Sequence, residues 1–359
     1  MRATATGGSN MALTRRQLGA NVVAGGVVAG GVAAGAAFGI VRNARAASEP
    51  VKIGILPLVS HAPTIIAQAQ GYFAAQGLAA RLVTFQAAEP MAVGIASGDI
   101  DFGVTAITGG LVSLADKGAV KVIGGSLAEA KGVEGQKVLA SNAAYAKGLT
   151  SLAGLKGRSY AVTTAGSSFE YVAYKAAQKA GFPASEIVFR PLQTIPACIA
   201  ALKTGQVDAW DMLPSVTDPL LKAKIAHAIA AVRDFIPGYQ VTAVFTSTAN
   251  INKRKEVVQR FLAGFARGID DYDAALVAKT MAPKQIDAIV AEIHKYVFSA
   301  MPLDKARAHI THGVMRVNAG AALNVASVAD QLQWLNANKL VPAGSTMQRL
   351  VDTSFVKTI

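Results

Sequence analysis

The feature that most constrains this chain is a unit that occurs twice. Residues 94–101, Gly-Ile-Ala-Ser-Gly-Asp-Ile-Asp, resemble residues 201–208, Ala-Leu-Lys-Thr-Gly-Gln-Val-Asp, which pairs Gly98 with Gly205 and Asp101 with Asp208, 107 positions on. Upstream, Gln86 pairs with Gln193, and Gly77-Leu78 with Gly181-Phe182. A period this long is far beyond that of a solenoid, so the duplicated unit is a lobe. Each copy reads as strand, helix, strand, helix, strand. In the first, 51–56 is a strand, 64–76 a helix and 82–85 the next strand; in the second, 160–163, 169–179 and 187–189 take those parts. Gly77, Gly98, Gly181 and Gly205 fall where a left-handed residue ends a helix. Strands alternating with helices require right-handed crossovers, so the expected class is α/β, with a largely parallel sheet flanked by helices in each of two lobes.

The lobes need not be continuous. Runs 136–141 and 240–246 are apolar and strand-like and flank the second unit, after which the chain returns to amphipathic helices. Read as crossings, they give lobe one as 47–140 with 245–359 and lobe two as 141–244. A ligand is then expected between the lobes, beyond the carboxyl ends of the strands.

Composition narrows the function classes. With 52% hydrophobic and 16% charged residues in 359, the chain is too apolar to be disordered. Its formal charge is +13, but five positives (Arg2, Arg15, Arg16, Arg42 and Arg45) lie in the first 46 residues. The remaining basic residues are scattered and no aromatics interleave with the run at 253–255, so nucleic acid is not an expected partner. Thr14-Arg15-Arg16-Gln17-Leu18-Gly19, a Gly-rich uncharged stretch to Ile40 and the small-x-small site Ala44-Arg45-Ala46 read as a twin-arginine export signal, cleaved near Ala46, with Met1 or Met11 as the start. A retained transmembrane helix is the alternative, opposed by Arg42 and Arg45 on its distal side. The mature protein is expected in the periplasm. Cys198 is the only cysteine, so neither a disulfide framework nor a C-x-x-C site can form. The mature chain holds no G-x-S-x-G, Walker or G-x-G-x-x-G pattern, and no cofactor or metal is expected. His309 and His312 could share a helix face with no carboxylate at matching spacing, and Lys175 and Lys179 read as a solvated face.

Five segments then carry a resemblance: VKIGILPLVSHAPTIIAQAQGYFAAQGLAARLV, ASGDIDFGVT, LKGRSYAV, GSSFEYVAYKAAQKAG and TGQVDAW. In that order they resemble the periplasmic binding proteins of ABC importers for sulfonates, taurine, nitrate and thiamine-pyrimidine precursors, over about residues 50–270 and more loosely beyond. The resemblance implies a two-lobed, type II clam-shell protein, without enzyme activity. It would act as a monomer, capturing a small organic anion (a sulfonate or carboxylate, or an amine-bearing form) and delivering it to an inner-membrane permease driven by a separate ATPase. A pyrimidine-type thiamine precursor is the alternative ligand. A periplasmic enzyme on the same scaffold and a ligand-sensing partner of a membrane receptor are the alternative roles. The pyrimidine-synthase branch of that superfamily carries a cysteine-rich motif and a catalytic His, and Cys198 alone supplies no such motif.

Candidate ligand-binding residues follow from the ends of strands. The first strand leads into Leu58, Ser60 and His61, and the third ends at Thr105, Ala106 and Thr108 before a helix; the matching turn of lobe two holds Thr164, Gly166, Ser167 and Ser168. Free N–H groups at helix starts attract anions without any basic side chain. Ser167 and Glu170 have capping-box spacing, which would leave Ser168 and the N–H groups for ligand. Gln86 and Gln193 follow strands in equivalent places, and an amide can donate and accept. Trp210, Asp211 and Met212 end the last lobe-two strand, with Trp210 a wall for an organic body. Asp211, if it faces the cleft, calls for an amine or ring N–H on the ligand, a role Glu89 could share. Asp101 and Asp208 are expected to fix local turns instead.

Overall fold

The computed structural model describes residues 48–359, and the twin-arginine segment lies outside the described residues. The described residues hold twelve strands: β1 (Glu49–Ile55), β2 (Leu78–Thr84), β3 (Phe102–Thr105), β4 (Val120–Gly125), β5 (Leu127–Ala128), β6 (Lys137–Ser141), β7 (Ser159–Val162), β8 (Val188–Pro191), β9 (Ala209–Met212), β10 (Ala226–Ala231), β11 (Ala243–Ser247) and β12 (Arg316–Val317). One five-stranded sheet has the order β2-β1-β3-β11-β4 and the other β10-β6-β9-β7-β8, while β5 and β12 form a small third ladder. Read from opposite edges, the two large sheets superpose strand for strand. In each, three strands are parallel (β1 with β2 and β3; β7 with β8 and β9). In each, the fourth strand is antiparallel and arrives from the other half of the chain: β6 beside β9, and β11 beside β3. The repeat offset places β3 onto β9.

The strand orders carry the chain from the first sheet to the second and back. The first crossing falls earlier than residue 140, because all of Lys137–Ser141 pairs within the second sheet.

The paired aspartates explain why the echo is so sharp. Asp101 accepts the backbone N–H of Lys52 at 2.8 Å, and Asp208 accepts that of Ser159 at 2.8 Å. Each carboxylate ties the start of one parallel strand to its neighbour, so both copies need an acidic residue there. Gly98 and Gly205 precede them with φ of +81° and +72°, values that cost a residue with a Cβ. The expected helix at 64–76 is broken by Gly71 at φ +71° into Ala62–Ala69 and Tyr72–Ala75.

Helix Lys255–Tyr272 seals the first sheet. Its Phe261 stacks on Phe102 at 3.9 Å and on Phe73 at 5.5 Å, each such pair contributing about 0.5–1.5 kcal/mol beyond simple burial. The same helix reaches Ala62–Ala69 through Gly268, where a Cβ would lie 2.2 Å from the Pro63 carbonyl oxygen and 2.8 Å from Cβ of Ala67. Gly268→Ala must push the two helices apart, at a cost of about 1–3 kcal/mol. A fall of several degrees in melting temperature is expected by calorimetry; an unchanged value would mean the contact is looser than described.

Candidate functional site

The carboxyl ends of β1, β3, β7 and β9 converge on one partly open cavity of about 50 Å³. That is room for a few water molecules or a small ligand. From the first sheet come Leu58, Ser60 and His61 after β1, Thr105 at the end of β3, and Ala106 and Thr108 after it. From the second come Ser167 and Ser168 after β7, and Met212 at the end of β9. Nine of the expected residues thus share one wall system.

The other expected residues lie around it. Trp210 is fully buried behind Phe169, with ring centroids 5.4 Å apart, and Phe169 is the ring that lines the cavity. Alternation along β9 turns Asp211 away from Met212 and into the interior, where it accepts from the Tyr160 hydroxyl at 2.8 Å and from Nε2 of Gln136 at 3.3 Å. It does not line the cavity. Gln86 and Gly166 belong to the seam between the halves: Gly109 N–H donates to the Gly166 carbonyl at 2.9 Å, and Ile195 N–H to the Gln86 carbonyl at 3.3 Å. Thr164 accepts Ser167 N–H through its carbonyl. Gln193 holds φ at +68° and bonds Thr163 through its backbone, leaving the lining to Thr163 itself.

Residues that pattern reasoning missed include three from the crossings. Gln136, Val241 and Thr242 line the cavity from the two segments that join the halves, and Phe169, Ile195 and Leu213 add apolar surface. The signal available was that polar residues Gln136 and Thr242 interrupt otherwise apolar crossing runs.

The two helix starts at the cavity are built differently. At helix Gly109–Asp116, Thr108 is a working N-cap whose Oγ1 accepts Leu111 N–H at 3.1 Å while its hydroxyl donates to Glu89 at 2.7 Å. At helix Ser168–Ala180, the expected capping box does not form. Glu170 reaches one residue further back and accepts Gly166 N–H at 2.7 Å, and Oγ of Ser167 is left buried without a partner. A working cap is worth about 1 kcal/mol. Thr108→Ala is therefore expected to lower stability by that amount, and Ser167→Ala to leave it unchanged or raise it, in paired urea titrations. Equal losses would mean that Ser167 does cap its helix.

Electrostatically the cavity is quiet. Burial pushes the His61 imidazole down to about 3, so the ring is neutral, and its Nδ1 has no partner. Burial also lifts the Asp211 carboxyl well above the usual range, and Glu129, just after β5, to about 7. Cys198 is buried and its thiol is pushed up to about 12, which removes it as a nucleophile. Among the described residues no cluster of three or more His, Cys, Asp or Glu side chains is placed to hold a metal. Lys175, expected on a solvated face, instead pairs with Asp330 of helix Val325–Ala337 at 2.8 Å.

Residues 59–275 match the family model described as NMT1/THI5 like. A comparison with curated protein sequences finds no match. Among solved structures, the alkanesulfonate-binding protein SsuA of Xanthomonas axonopodis pv. citri, bound to MOPS, is 17% identical with a TM-score of 0.65, over 86% of this chain and 98% of that one. The periplasmic nitrate-binding protein NrtA of Synechocystis PCC 6803 is 12% identical with a TM-score of 0.66, over 82% and 83%. The desulfurization enzyme DszB is 14% identical with a TM-score of 0.53, over 86% and 97%. At these identities the likeness is one of fold.

Proposed function

Because this chain belongs to the NMT1/THI5-like family, we propose that it is the solute-binding component of an ABC importer, taking up a small ligand in the periplasm and passing it to a membrane permease. The observation that carries this is the cavity itself: it lies between two equivalent sheets, draws its wall from both, and is closed by backbone bonds from Gly109 and Ile195 that each join one half to the other. A ligand touching both halves favours the closed arrangement over an open one, which is how such a protein signals occupancy. SsuA and NrtA, binding proteins by name, share this architecture. A monomer suffices, since one chain supplies the whole wall.

Export by the twin-arginine route belongs to the same proposal and rests on Arg15 and Arg16 ahead of the Gly-rich stretch. Replacing both with Lys is expected to leave precursor in the cytoplasm; full periplasmic accumulation would exclude that route.

An enzyme on the same scaffold is the second possibility, favoured by the likeness to DszB. One experiment separates the two. The protein is screened by thermal shift against sulfonates, carboxylates, nitrate and aminopyrimidines, and each stabilising compound is recovered and analysed. A compound at about a thousand times its dissociation constant adds roughly 4 kcal/mol. Stabilisation with unchanged compound supports a binding protein, and steady conversion an enzyme.

A further inference from the structure

We infer that the cavity selects an uncharged ligand that offers a hydrogen-bond donor to Gln136, an extension that rests on the solute-binding role proposed above. The lining contains no Lys, Arg, Asp or Glu. Anion binding would have to come from the starts of helices Gly109–Asp116 and Ser168–Ala180. Both are already served by the chain's own carboxylates. Glu89 accepts from Thr108 and lies so close to Gly110 that a Cβ there would fall 1.4 Å from its Oε1. Glu170 holds Gly166 N–H. A ligand anion would approach negative charge at each helix start, with no cation in the wall to offset it.

The wall is instead short of neutral partners. Nε2 of Gln136 is committed to Asp211, which Tyr160 holds from its other oxygen. Oε1 of Gln136 then remains buried without a partner, as do Oγ of Ser167 and Nδ1 of His61. Leaving such atoms unpaired costs about 1–3 kcal/mol each. An amide-like ligand repairs this, its N–H bonding Oε1 of Gln136 and its carbonyl oxygen taking the Ser167 hydroxyl. Gln136 thereby reads the ligand.

Matched small probes test this: acetamide against acetate, and methanesulfonamide against methanesulfonate, with ethylamine as the cation, each titrated by calorimetry and thermal shift. The neutral member of each pair is expected to bind about tenfold or more tightly than its charged partner. Gln136→Met should abolish that preference while unfolding stays cooperative. Equal or tighter binding of the acids or of ethylamine, failure of both neutral probes to bind, or a preference indifferent to Gln136→Met would overturn the inference. Ala106→Trp, which fills the cavity, separates the two levels. If the acids bind best and Ala106→Trp abolishes it, only the charge selection falls; if probe binding ignores Ala106→Trp, the cavity is not the solute site.

Discussion

Between pH 7 and pH 4, a His61→Gln variant is expected to gain on the wild-type protein by about 3 kcal/mol in unfolding free energy. His61 is 1% exposed and its ring is held neutral, with a folded value of about 3 against 6.5 in the unfolded chain. A group with its pKa depressed by folding binds fewer protons in the native state, so falling pH favours unfolding throughout the window between the two values. The loss begins near 6.5 and continues to about 3. Glutamine has no proton to gain there, so the variant is spared the loss. At pH 7 the variant is expected to be the less stable, through lost packing. Urea titrations at several pH values read the difference between the two proteins, which cancels the carboxylates they share. Parallel curves would mean that water reaches the imidazole freely.

Glu129→Gln is expected to behave in the opposite sense, gaining about 3 kcal/mol on the wild type as pH rises from 4 to 8. Burial raises the Glu129 carboxyl to about 7 from 4.5, and its Oε2 has no partner. A raised acid binds more protons folded than unfolded between those values, so its contribution is present below 4.5 and lost as pH rises through 7. Gln136 N–H, donating to Oε1 at 2.8 Å, and Arg233 pull the other way without cancelling the burial. Between 4.5 and 6.5 the His61 and Glu129 slopes oppose each other, so wild-type stability hides both. A Glu129→Gln difference that stays flat with pH would show the carboxyl ionised at neutral pH.

The fold was legible because the duplication carries its own check. Asp101 and Asp208 occupy one geometric role twice, and the glycines before them end one helix twice, so an offset of 107 residues suffices to align two sheets. The ends of β1, β3 and β7 were legible for a related reason, since loops after parallel strands sit at the ligand edge by topology. Three things were not. Ser167 and Glu170 have the spacing of a capping box, but the turn at Gly166 brings its own N–H within reach of the carboxylate first. Asp211 and Met212 are neighbours in sequence and lie on opposite faces of β9, and nothing in a run of four buried residues tells which face meets the cavity. Gln136 and Thr242 reach the cavity from crossings whose path depends on both sheets at once. The expected anion and the inferred uncharged ligand part at these same points, because the helix starts that would hold an anion carry Glu89 and Glu170.

Equilibrium dialysis tests the central claim most directly, using whichever compound of the thermal-shift screen and the matched probes stabilises the protein most, with wild-type protein and Ala106→Trp in parallel chambers. Ala106 lines the cavity between the two halves, so its replacement removes the space without touching the hydrogen bonds that close it. The wild-type chain should retain one equivalent, released unchanged on denaturation, and Ala106→Trp none while still unfolding cooperatively. Equal retention by both proteins, or a chemically altered compound in the wild-type chamber, would contradict a solute-binding protein that captures its ligand between the two sheets.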